Sequence, residues 1–198
     1  MNDIDGAILV GGRSSRMGRD KATLLLAGKT MLERVGDAMA PRVERIRVFG
    51  GPSLTSHGFP VVPDLRPNLG PLSGIHTALA TANAPAVVVV ACDLPFVTTQ
   101  LLSGLIEMLS GEIEAVVPRV AGRAVPVCAI YRTSCLPALE ARLERGALAA
   151  HRFVDGLETR FVENEDLARL DPHGVGLRNI NTPDELREAE AILAAARS

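Results

Sequence analysis

The sequence predicts a doubly wound α/β fold, built on a mostly parallel sheet in a single domain. Three observations carry this reading. Short apolar runs alternate with stretches of helical period along the chain, the pattern that interleaves strands with crossover helices. The run Val87-Val88-Val89-Val90-Ala91 has no polar alternation, which fits a parallel strand covered on both faces. The 198 residues suffice for one substantial core and contain no linker, repeat or low-complexity tract that divides them.

The elements follow in order. Ala7-Ile8-Leu9-Val10 is an apolar run stopped by Gly11-Gly12, a buried strand entering a tight loop. A polar stretch over 13–21 leads to a helix over 30–40. There Met31, Leu32, Val35, Ala38 and Met39 recur at helical spacing, and Pro41 stops the pattern. Residues 46–49 form a second strand, ended by Gly50-Gly51, and Val61-Val62 is a third candidate. A helix over 73–82 precedes the valine strand over 87–91, and a helix over 99–109 precedes a strand at 115–117. Residues 126–131 fit another strand, with an antiparallel edge as its expected place, and 136–143 fit a helix. The stretch 151–162 has no decisive pattern. The last helix is well marked: Thr182-Pro183-Asp184-Glu185 combines a Thr cap, a Pro at the first helical position and a Glu placed for a capping box.

Composition narrows the function. Apolar residues make up 47% and charged residues 22%, the mix of an ordinary globular protein. A formal net charge of -2 disfavours nucleic acid as the main partner, while 21 Lys and Arg leave room for a local basic pocket. No apolar run approaches the roughly 20 residues that span a bilayer. The start, Met1-Asn2-Asp3-Ile4-Asp5, lacks the basic and apolar regions of a secretory signal. Cys92, Cys128 and Cys135 form no CxxC pair and suit reduced, packed thiols. The expected compartment is the cytoplasm, with no membrane partner.

The most informative segment is Leu9-Val10-Gly11-Gly12-Arg13-Ser14-Ser15-Arg16-Met17-Gly18-Arg19-Asp20-Lys21. It follows a strand, where the carboxyl edge of such a sheet offers a ligand crevice. Glycines let the backbone approach phosphates, whose oxygens accept from its N–H groups, and Arg16 and Lys21 add positive charge. The glycines do not make GxGxxG, and Gly18-Arg19-Asp20 is no Walker A ending. Asp93 follows the valine strand directly, so a carboxylate stands at that same edge. Magnesium takes oxygen ligands, often one or two carboxylates plus substrate phosphates. A turn-forming Asp before Pro95 is the plainer role for the same residue.

The loop GGRSSRMGRDK resembles the signature of the small nucleotidyltransferases, and among them the molybdenum cofactor guanylyltransferases. Further landmarks in the expected order extend the resemblance over nearly the whole chain: Pro63-Asp64, Gly70-Pro71-Leu72-Ser73-Gly74, Cys92-Asp93-Leu94-Pro95 and Asn179-Ile180-Asn181-Thr182-Pro183. The resemblance implies a Rossmann-like sheet of the nucleotide-diphospho-sugar transferase type. It implies that Leu9, Val10, Gly11 and Gly12 contact the nucleotide, that Arg16 and Lys21 hold phosphate oxygens in catalysis, and that Asp64 and the segment from Gly70 to Gly74 lie near base and ribose. It assigns Mg²⁺ to Asp93, and the acceptor to Asn179 and Asn181. Gly11-Gly12 fits the guanylyl branch better than the cytidylyl branch, where alanine is usual. Two positions depart from the pattern. Val125, in Gly122-Arg123-Ala124-Val125-Pro126, stands where some members carry His, and Gly50-Gly51 where some carry Asn.

The chemistry implied is transfer of GMP from GTP to molybdopterin or the molybdenum cofactor, with release of pyrophosphate. Proteins that deliver the cofactor are candidate partners. The acceptor's phosphate monoester has a second pKa of about 6 and is largely ionised at neutral pH, so no strong general base is needed. Positioning and charge neutralisation carry such a step. Cytidylyl transfer, or transfer to another phosphorylated metabolite, is the nearest alternative. A regulatory module that binds nucleotide without turnover is another, and an oxidoreductase is disfavoured by the missing GxGxxG. His57, His76, His151 and His173 lack metal-ligand spacing and are expected to be structural or exposed. Ser14 and Ser15 lack a nucleophile elbow, and Arg142, Glu144 and Arg145 are expected on a solvated helix face.

Overall fold

The computed structural model describes residues 3–11, 23–50 and 58–195. Its main sheet is threaded by β1 (Ile4–Val10), β4 (Arg45–Gly50), β5 (Val61–Pro63), β6 (Ala86–Ala91), β7 (Ala115–Val120), β9 (Cys128–Arg132) and β10 (Thr159–Val162). A short hairpin, β2 (Leu25–Leu26) with β3 (Lys29–Thr30), stands apart, and β8 (Arg123–Ala124) folds back onto β7. The helices are α1 (Met31–Met39), α2 (Pro71–Ala80), α3 (Thr99–Glu107), α4 (Leu136–Glu144), α5 (Ala150–Val154), α6 (Asn164–Leu170) and α7 (Pro183–Ala195).

Across the sheet the order is β10-β7-β9-β6-β1-β4-β5. β1 pairs in parallel with β4 and β6, β4 with β5, and β7 with β10. β9 alone on this path runs against its neighbours, β6 and β7. The mostly parallel, doubly wound sheet expected from the sequence is therefore the observed one. One placement needs correction: the strand expected at an edge is an interior strand. Cys128, Ala129, Ile130 and Tyr131 are all fully buried, because β6 and β7 flank them and helices cover both faces.

Alternate side chains of each strand feed two cores. Ile8, Val10, Val48, Val88, Val90 and Ile130 meet α1 and α3 on one face. Leu9, Phe49, Val87, Val89 and Tyr131 meet α2, α4 and α5 on the other. The unassigned stretch 151–162 holds most of α5 and then β10, which extends the sheet beside β7. The first helix starts with a full capping box: Thr30 Oγ1 accepts from Glu33 N–H and the Glu33 carboxylate accepts from Thr30 N–H. The last does likewise, with Glu185 N–H donating to Thr182 Oγ1 and Thr182 N–H to Glu185 Oε2.

At the amino ends of the strands, Asp5 is 1% exposed and ion-paired to Arg45 (2.7 Å) and Arg47 (3.4 Å). It also accepts from the Asn83 N–H at 2.8 Å. This carboxylate ties β1 to β4 and to the turn before β6, far from the opposite edge, where the strands end.

Candidate nucleotide-binding site

Four parallel strands deliver their carboxyl ends to one edge, since the register pairs Val10 with Gly50, Gly50 with Pro63 and Leu9 with Ala91. The chain runs outward from β1 through β4 to β5, then returns to place β6 on the other side of β1. That reversal opens a crevice outside the ends of β1 and β6, where sheets of this kind bind ligands. Gly11 and Asp93 stand at its two sides, and the Cys92 N–H donates to the Leu9 carbonyl at 2.9 Å to hold those ends together. A Cβ at Gly11 would meet no described atom within 4 Å.

The segment carrying Asn179 and Asn181 comes to the same place. The Ile180 N–H donates to the Asp93 carbonyl at 2.9 Å. Ile180 itself is fully buried with Leu26, Met31 and Phe96, while Asn179 is exposed and Asn181 half-buried. The hairpin β2–β3, where the described chain resumes after the glycine-rich loop, thus packs against the turn that follows Asp93. Gly12, Arg16 and Lys21 lie outside the described residues, as do Ser14, Ser15, Gly51 and His57.

Asp64 lies on this edge beyond β4, its N–H donating to the Gly50 carbonyl at 3.3 Å. Its Oδ1 is buried and accepts no hydrogen bond among the described residues, and burial raises its pKa above the usual carboxylate value. An unpartnered buried oxygen is costly unless a ligand completes it. Gly70 has φ +62° and ψ -144°, a conformation essentially reserved for glycine, and it turns the chain into α2. Gly74, the last residue of the Gly70–Gly74 motif, lies inside the packing of α2 on β1, where a Cβ would come within 2.8 Å of Leu9 Cδ2.

Sequence reasoning missed the residues that hold this loop. Thr77 Oγ1 accepts from the Leu65 N–H (3.0 Å), and Ser73 Oγ accepts from the Leu69 N–H (2.9 Å), so two α2 side chains staple 64–70. Ser73 belongs to a recognised motif, but nothing in the spacing marks Thr77. The stretch ending at Pro126 is also fixed. The Ala91 N–H donates to the Val127 carbonyl (2.7 Å), and the buried Tyr131 hydroxyl donates to the Pro126 carbonyl (2.8 Å). That brings Gly122-Arg123-Ala124-Val125-Pro126 to the edge beside the end of β6. His76 is buried near Glu140 (3.4 Å), and His151 and His173 are exposed. Glu144 and Arg145 are exposed, whereas Arg142 is half-buried, its Nε turned into the protein. Among the described residues no three His, Cys, Asp or Glu could hold a metal by themselves, and no helix is long and apolar enough to cross a membrane.

A sheet reversal flanked by a strand-ending glycine and a carboxylate, with an asparagine segment tied to that carboxylate's turn, is the ligand crevice of a doubly wound α/β protein. Residues 6–161 match the MobA-like NTP transferase domain, and the chain belongs to that family. It is 34% identical to a probable molybdenum cofactor guanylyltransferase of Pelotomaculum thermopropionicum, over 98% of this chain and 95% of the relative. It is 33% identical to the molybdenum cofactor guanylyltransferase of Desulfosudis oleivorans, over 100% and 99%. The molybdopterin-guanine dinucleotide biosynthesis protein A of Archaeoglobus fulgidus superposes with a TM-score of 0.81 at 27% identity, covering 96% of this chain and 99% of that one. A Thermus thermophilus 2-C-methyl-D-erythritol 4-phosphate cytidylyltransferase shares the fold, with a TM-score of 0.71 at 22% identity over 97% and 99%.

Proposed function

We propose that this chain transfers GMP from GTP to molybdopterin or its molybdenum-loaded form and releases pyrophosphate. The observation that carries the reading is the meeting of Gly11, Asp93 and the Asn179–Asn181 segment at the sheet's reversal point, with Ile180 bonded to Asp93. Full-length relatives bearing the guanylyltransferase name support the choice of base and acceptor.

The donor set fits Mg²⁺. A single hard carboxylate, Asp93, stands at the crevice without a cluster of further ligands among the described residues, and magnesium completes such sites with phosphate oxygens and water. When bound, the ion neutralises charge on the phosphates and the departing pyrophosphate. The chain's own residues do the rest. Gly11 leaves space for the nucleotide, Asp64 offers an acceptor to a hydroxyl or amino group, and Asn179 and Asn181 orient the acceptor phosphate for in-line attack at the α-phosphorus. The P–O bond to pyrophosphate breaks as the new P–O bond forms. Arg16 and Lys21 are assigned to the triphosphate. The enzyme works in the cytoplasm, where delivery proteins supply or collect the pterin.

Pyrophosphate release, measured with molybdopterin and either GTP or CTP in the presence of Mg²⁺, tests the reading. Turnover with GTP at least about tenfold above CTP is expected, a difference that placed hydrogen bonds to a base edge readily supply. A preference for CTP would overturn the base assignment, and nucleotide binding without pyrophosphate release would make the chain a regulatory module.

A further inference from the structure

Asp171 is a buried carboxylate, 9% exposed, that the chemistry above does not use. It closes α6, its N–H donating to the Leu167 carbonyl at 2.8 Å. Its Oδ2 accepts from the Gly176 N–H at 2.8 Å, and its carbonyl accepts from the Gly174 N–H at 3.0 Å. Gly176 is fitted to this carboxylate: an added Cβ would lie 3.1 Å from Asp171 Oδ2 and 3.2 Å from Leu101 Cδ2. The thiol of Cys128, at the start of β9, feels the charge as well. Its pKa is pushed up to about 12, mainly by burial and secondarily by Asp171.

From that anchor the chain makes one further turn, at 175–178, before the acceptor segment. The Arg178 N–H bonds to the Val175 carbonyl (2.9 Å), the Ile180 N–H to the Asp93 carbonyl (2.9 Å) and the Asn181 N–H to Glu185 Oε2 (2.6 Å). Asp171 is the one acidic residue between Leu167 and Asp184. A carboxylate is expensive to bury, and burial is tolerable where it accepts a strong hydrogen bond that fixes the backbone.

We infer that Asp171 is a positioning residue for the acceptor: by holding Gly176 it sets where Asn179 and Asn181 stand against the crevice. This rests on the acceptor role given to those two asparagines. Asp171 touches no substrate and acts through the 171–180 segment. A residue of this kind changes capture of the acceptor and leaves nucleotide binding alone.

The experiment compares Asp171→Ala, Asp171→Asn, Asn179→Ala and Asn181→Ala in Mg²⁺ with GTP and molybdopterin. Asp171→Ala is expected to raise the KM for molybdopterin roughly tenfold, the size of one charge-assisted hydrogen bond, with the KM for GTP unchanged. Asp171→Asn keeps an oxygen acceptor for Gly176 and restores most of the loss. Amide hydrogen exchange speeds up over 174–180 in the Ala variant and stays slow in β6. If the Ala variant does not fold, Asp171→Ser, too short to reach Gly176, is measured in its place. Asparagine variants with unchanged molybdopterin KM overturn the acceptor reading. Raised KM in those variants, with no change in Asp171→Ala, overturns the positioning role alone. Equal rises for GTP and molybdopterin also overturn it, since they mark a general loss of structure.

Discussion

The backbone N–H of Ile180 donates to the carbonyl of Asp93 at 2.9 Å, and this contact joins the segment before α7 to the turn after the central strand β6. The asparagines on either side of Ile180 stand at the crevice because Ile180 is locked beneath them, among Leu26, Met31 and Phe96. One hydrogen bond thus couples the Asn179–Asn181 segment to the turn that carries Asp93.

If Asp93 holds the metal, Asp93→Ala lowers kcat by about a thousandfold or more, because the ion's stabilisation of phosphate charge is worth several kcal/mol. The backbone bond to Ile180 does not involve the side chain and is expected to persist in the variant. A variant with undiminished magnesium-dependent turnover removes Asp93 from the site.

Thr77→Val keeps shape while deleting the hydroxyl that accepts from Leu65 N–H and donates to the Ser73 carbonyl. The loss of one such staple is expected to cost about 1 kcal/mol, roughly a fivefold effect on an equilibrium. The KM for GTP rises on that scale as the loop carrying Asp64 loosens, whereas the KM for molybdopterin does not. Nucleotide titration of the variant checks both values.

Asp5→Ala serves as the opposite control. It strands the half-buried Arg47, breaks the link to Arg45 and leaves the Asn83 N–H without its partner. Breaking a buried pair costs about 3 kcal/mol, which chemical denaturation reads directly. Both KM values stay unchanged at temperatures where the variant is folded, since Asp5 lies at the wrong end of the strands to reach ligands.

Asp64 makes stability depend on pH. Its folded pKa is raised above the ordinary 3.8 by burial, so the folded state holds this proton more tightly than the unfolded one. The contribution is fully present below 3.8 and is lost as pH rises through the raised value. Asp64→Asn removes the penalty of burying a charge, so the variant gains stability at neutral pH and the gain vanishes in acid. Denaturation across that range checks the sign, and a gain that grows in acid contradicts it.

Much of the fold was legible because the parallel strands are continuous apolar runs and the helix starts carry capping chemistry. β6 and the Thr182 capping box are the clearest cases. Elements stabilised mainly by tertiary contacts were harder to read. β9 looks like an edge strand in sequence because its turn-flanked run is short; its interior place comes from pairing on both sides. α6 has no buried residue, so it shows no helical stripe, and β2 and β3 are two residues each. At the site, the motifs indicated Asp93, Asp64 and the two asparagines. Thr77, Tyr131 and Asp171 act through side-chain bonds to backbone outside their own helical turn or strand pair, and no motif spacing encodes those partners. Gly74 shows the converse: a motif glycine that serves close packing against Leu9.

The lone reversed strand has an evolutionary consequence. Because β9 enters from the ligand edge, the chain from the end of β7 to the start of β9 forms a self-contained arm with both feet clamped in the sheet. Its tip, Ala121-Gly122, is exposed, and Tyr131 secures its inner foot at Pro126. Such an arm can lengthen, shorten or change character without shifting the register of any strand that serves the nucleotide. The architecture therefore lets this arm vary in length and sequence while the pairing of β1 with β4 and β6 is kept.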